Sequence, residues 1–176
     1  MFIRNLLIGS CIGILAYALF AYAGIKISGS LDCLISNYKA YMRGYVFSSF
    51  LGISSFLLSL LTFVVINLKE KMFDSEDYLA IYRKGEKLSE DAAVKKSDLY
   101  KPLLNITYLL VLSITFCLLT CLLQFSLGFS AAKKWLIAPT IMPFFALSFM
   151  SLSLIAMTQL VCQWLKSEEF IETKKP

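Results

Sequence analysis

The chain has 176 residues, of which 58% are hydrophobic and 16% charged, with a mean hydropathy of +0.70. A soluble domain of this size carries about 45–50% apolar and about 25% charged residues, and it cannot hide much more apolar surface from water. Disorder, a disulfide scaffold and an ordinary soluble enzyme are therefore disfavoured, and lipid is the natural solvent. With no histidine, His-based acid–base catalysis, Ser-His-Asp and Cys-His nucleophiles and His-containing metal sites are excluded. The net charge of +5 includes no basic stripe interleaved with aromatics, so no direct contact with nucleic acid is expected. The five cysteines (Cys11, Cys33, Cys117, Cys121 and Cys162) form no CxxC pair, and no metal or cofactor is expected.

Four uncharged stretches are long enough to cross a bilayer, which takes roughly 20 apolar residues: Asn5 to Ile25, Gly44 to Leu68, Pro102 to Ala132 and Trp135 to Leu165. The last two run to about 46 Å as helix at 1.5 Å per residue, so their ends project into the interface or tilt. Trp135 and Trp164 suit such an interfacial position. Ala21-Tyr22-Ala23 resembles a signal-peptide cleavage site, but the preceding segment has one basic residue and is long for such a leader, so it is read as a retained span. Residues 1–68 thus hold spans 1 and 2 joined by an external loop over 26–43. Residues 102–165 hold spans 3 and 4, and 166–176 form a tail.

Between them, residues 69–101 form the only sizeable polar segment, with eight basic and eight acidic residues. Asp74 or Ser75 can cap a helix through Tyr82, with Glu76 and Asp77 at its positive end, Arg83 and Lys84 at its negative end, and Gly85 as the stop. Ser89-Glu90-Asp91 repeats the start signal, and Lys101-Pro102 opens the third span. Arg4, the eight basic residues of the insert, and Lys166, Lys174 and Lys175 lie on one side. Only Lys26, Lys39, Arg43, Lys133 and Lys134 lie on the other. The positive-inside rule then assigns both termini and the insert to the cytoplasm.

Small residues let helices approach closely in lipid. Span 2 carries Ser48, Gly52, Ser55, Ser59 and Thr62 at alternating steps of four and three, and span 1 carries a Gly9/Gly13 pair. Span 3 has Ser113, Cys117, Thr120 and Gln124, and span 4 has Ser148, Ser151, Thr158 and Cys162. These stripes read as helix packing. Since every span has one, at least one is expected to join protomers, through Gly9/Gly13 or the span-2 stripe. Ser113, Thr120 and Gln124 also admit a reading as the lining of a pore. Pro139 and Pro143 mark the first turn and a kink of span 4, or a hinge. Phe73, Tyr78, Leu79, Ile81 and Tyr82 either pack on the membrane surface or bundle or, with Arg83 and Lys84, meet a partner.

No Asp, Glu, Lys or Arg lies within a span, which disfavours proton relays, voltage sensing and intramembrane proteolysis. The layout shares its topology with connexin-like channels but has only Cys33 outside. It resembles the four-pass membrane subunit of the bacterial Kiwa anti-phage system, over the whole chain in outline, through the four spans and the Lys69–Lys101 insert. That resemblance implies a bacterial inner-membrane protein that oligomerises and works with a cytosolic DNA-binding partner. The expectation is an all-α polytopic membrane protein, four transmembrane helices with a helical cytoplasmic insert between helices 2 and 3. It would be a non-enzymatic homo-oligomer that anchors and signals to a cytosolic protein; the alternative is a small oligomeric ion channel or membrane-permeabilising effector.

Overall fold

Backbone polar groups in lipid must be satisfied within the segment, which for runs this apolar leaves the helix. A computed structural model describes residues 2–85, 94–127, 135 and 137–172, and its regular elements are all helical. They are α1 (Phe2–Ser28), α2 (Leu31–Asn37), α3 (Arg43–Phe63), α4 (Glu76–Gly85), α5 (Lys96–Leu99), α6 (Lys101–Phe125) and α7 (Ile137–Glu172). Wide π-helical turns over Tyr38–Met42 and Val64–Phe73 join α2 to α3 and extend α3, so that Leu31 to Phe73 is one rod. Among the described residues four helices are long and apolar enough to span a membrane, and the chain is an integral membrane protein.

The external loop expected over 26–43 is not a loop. Helix α1 runs to Ser28, the chain reverses at Gly29 and Ser30, and helix resumes at Leu31. Gly29 sits at φ 76°, a left-handed conformation that costs a residue without a Cβ little. Ser30 then caps α2 by accepting from the Cys33 amide at 3.2 Å. Leu34 and Ile35 are half-buried and Tyr38 is buried, so α2 folds back on the membrane helices instead of looping into solvent. Likewise α7 carries helix past Leu165 into the expected tail, to Glu172.

The long helices lie in a row, α1–α7–α6–α3, in which α1 packs on α7, α7 on α6, and α6 on α3, while α2 at the start of the rod folds against α1. Helix α6 is central and buries two stripes. Ile106, Leu110, Cys117 and Cys121 belong to the core shared with Phe50, Leu57 and Val64 of the rod. Ser113, Thr120 and Gln124 are also fully buried; Ser113 lies 3.4 Å from Ser153 of α7, and Gln124 bonds to the first turn of that helix. Phe116 stacks on Phe149 at 4.9 Å and on Phe145 at 6.1 Å between ring centroids. The rod's core positions advance from Phe50 to Leu57 to Val64, then to Met72 and Phe73. With i→i+5 bonding two turns take about nine residues instead of seven, which keeps the last pair in line with the others.

Candidate functional site

At the end of the rod the polar insert is tied to the membrane helices by short-range chemistry. Phe73 is fully buried, with Tyr78 of α4 edge-on at 4.8 Å and Tyr100 at 6.2 Å. Next to it Asp74 closes the π turns, its amide donating to the Lys69 carbonyl at 2.9 Å. The Asp74 carboxylate accepts the hydroxyl hydrogen of Tyr100 and lies 3.9 Å from the Lys69 ammonium. Ser75, not Asp74, caps α4: its hydroxyl accepts from the Tyr78 amide at 3.2 Å and donates to the Met72 carbonyl at 2.7 Å. The sequence allowed either residue, and the structure uses one for the cap and the other for the clamp.

Electrostatics follow these contacts. The hydrogen bond to Asp74 holds the Tyr100 hydroxyl above the usual tyrosine range, since losing its proton would set two anions side by side. Burial pushes the Tyr78 phenol up. The Lys101 ammonium, 2.8 Å from Asp98, holds that exposed carboxyl below the usual range by hydrogen bonding and charge. An open cavity of ≈ 470 Å³ adjoins the clamp, with Lys69, Asp74, Glu76, Leu79, Arg83 and Tyr100 among its walls.

Of the residues expected to meet a partner, Phe73 and Tyr78 instead pack on the chain's own core. Leu79 and Arg83 are half-buried and line the cavity, Tyr82 is half-buried, and Lys84 is exposed. The side chain of Ile81 lies outside the described residues, as does the start signal at Ser89-Glu90-Asp91.

The two stripes expected to join protomers separate clearly. Gly9 and Gly13 are buried inside the protomer, where a Cβ at Gly9 would stand 2.6 Å from Phe149 Cε1 and one at Gly13 3.2 Å from Phe145 Cδ1. That face is internal packing of α1 on α7. Ser48, Gly52, Ser55, Ser59 and Thr62 are all exposed, and each hydroxyl among them donates to a carbonyl of its own helix. The buried small residue of α3 is Ser54, bonded to the Phe50 carbonyl at 2.7 Å.

Ser113, Thr120 and Gln124, the candidate pore lining, are 0%, 0% and 1% exposed and face other helices of the same protomer. Ser113 and Thr120 donate to the Leu109 and Phe116 carbonyls at 2.8 Å. Gln124 has a cross-helix role that sequence reading missed. Its Nε2 donates to the Pro139 carbonyl at 2.6 Å and to the Tyr38 hydroxyl, which itself donates to that carbonyl at 3.2 Å. The need for such a partner was readable: Pro143, four residues after Pro139, has no N–H with which to pair that carbonyl. Which residues would answer it depended on helix order. No family model matches the chain, and neither does any curated protein or solved structure.

Proposed function

We propose that this protein is an oligomeric, non-enzymatic membrane anchor that signals to a cytosolic protein through its insert, with both termini on the same side. The observation that carries the reading is the clamp at Phe73, Asp74 and Tyr100, which bridges the insert-side ends of the rod and of α6. A partner that shifts α4 would act on two membrane helices at once, because Tyr78 rests on Phe73. Leu79, Tyr82, Arg83 and Lys84 supply the accessible surface of α4 for such a partner. The resemblance to the Kiwa membrane subunit supports a DNA-binding identity for it and a role in anti-phage defence at the bacterial inner membrane. Self-association is assigned to the exposed Ser48-to-Thr62 stripe, the Gly9/Gly13 face being occupied within the protomer.

The test replaces residues 76–97 by a flexible linker, leaving Phe73, Asp74 and Tyr100 in place, and recovers the chain from its native membrane. Loss of a co-purifying protein with unchanged insertion and oligomer size is the expected result. Unchanged recovery of that protein would refute the reading. The channel alternative draws less support, since Ser113, Thr120 and Gln124 are enclosed between helices of one protomer.

A further inference from the structure

The cavity beside the clamp has the size and charge of a binding site in its own right. At ≈ 470 Å³ it falls within the roughly 300–1,000 Å³ of small-molecule sites. Glu76, Leu79 and Arg83, spaced i, i+3 and i+7, bring one face of α4 to it, and Lys69 and Asp74 approach from the end of the rod. Its charged groups are mixed: two cations, Lys69 and Arg83, and two carboxylates, Asp74 and Glu76. Asp74 is engaged by Lys69 and Tyr100, whereas Glu76 is exposed and has no ion-pair partner among the described residues. Position narrows the ligand further. The apolar run of the rod ends at Leu68, directly before Lys69, and that of α6 begins directly after Lys101, so the cavity lies where hydrocarbon gives way to lipid headgroups.

A simple anion there would meet two carboxylates, and a simple cation would meet Lys69 and Arg83. A headgroup carrying both a phosphate and a hydrogen-bonding ammonium suits the whole set. We propose that this cavity binds the phosphoethanolamine headgroup of a membrane lipid, its phosphate toward Lys69 and Arg83 and its ammonium on Glu76. A glycerol headgroup lacks the ammonium, and a choline headgroup has no N–H to donate to Glu76. This assignment goes beyond the anchoring role and does not depend on a protein partner.

The experiment uses the full chain alone, purified in detergent and offered equal amounts of phosphatidylethanolamine, phosphatidylglycerol and phosphatidylcholine, with lipid retention read by native mass spectrometry. Phosphatidylethanolamine is expected to be retained in preference, and Glu76→Gln or Arg83→Gln to weaken retention about tenfold, as for loss of one charged hydrogen bond. Glu76→Lys should switch the preference to phosphatidylglycerol, a gain that misfolding cannot mimic. Equal retention of the three lipids, indifference to Glu76→Gln, or no switch in Glu76→Lys would overturn the proposal. Binding of free phosphoethanolamine to the delipidated chain as tightly as the lipid would assign the site to a soluble compound and overturn the lipid source. Photo-crosslinking from Leu79 in native membranes should capture lipid; capture of a protein segment would give the cavity to a protein and overturn it as well.

Discussion

Pro143 imposes a debt on α7 that Gln124 and Tyr38 discharge from two other helices. The Pro139 carbonyl has no i+4 donor, that position being Pro143, and is met by the Gln124 amide at 2.6 Å and the Tyr38 hydroxyl at 3.2 Å. Gln124→Leu removes the closer of the two donors and leaves only Tyr38 on that carbonyl, so it should destabilise the protein by about 0.5–1.5 kcal/mol, the net worth of one such hydrogen bond. Pro143→Ala returns an N–H to the ladder, so the double variant should recover most of that loss. A cycle measured by denaturant unfolding in detergent checks this: losses that simply add would show that the amide does not serve that carbonyl. Tyr100 offers a second test at this scale. Its folded-state pKa is raised by Asp74, so its stabilising contribution is complete below the unfolded value of about 10 and is lost as pH climbs through the folded value. Stability of the wild type should fall above about pH 10 more steeply than that of Tyr100→Phe; parallel profiles would mean that the clamp contributes nothing.

At the scale of elements, the two glycine-containing faces predict opposite outcomes. Gly9→Leu drives a side chain into Phe149, so it should loosen α1 from α7 and lower stability, whatever the oligomeric state. Gly52→Leu with Ser55→Leu enlarges an exposed face with open space around Gly52, so folding should be unchanged while the detergent-solubilised particle shifts toward monomer. Light scattering on both variants separates the cases, and an unchanged mass in the second would leave the stripe as ordinary lipid-facing surface. The spans were legible because long charge-free runs leave the backbone no other solution in lipid. The helical course from Leu31 into α3 was hidden by Lys39 and Arg43, which interrupt hydropathy, although Leu34, Ile35 and Tyr38 already fall at helical spacing. Ser75 as a cap was readable from local chemistry. The Asp74–Tyr100 bond crosses 26 residues, and no periodicity announces it. Nor could the 3.5-residue rhythm of Ser48 to Thr62 say which way the stripe faces, since phase is set by neighbours in space.

For the whole molecule, the row explains why burial is uneven. Only 11% of the apolar window of α1 is buried, against 39% for α6, which has a helix on each side. The ends of the row are its two most lipid-exposed helices, and the stripe assigned to self-association lies on one of them. The same order has a consequence for biosynthesis. Helix α1 finds its main neighbour in α7, which begins about 110 residues further along the chain. At about 5–20 residues per second, ribosomes need on the order of ten seconds to pass from the end of one to the body of the other. For that interval α1 stands in the bilayer with Gly9 and Gly13 uncovered, while the segments between it and α7 can already assemble beside it. Joining α1 to its neighbour is thus a late capture, in which α7 closes over a helix made well before it.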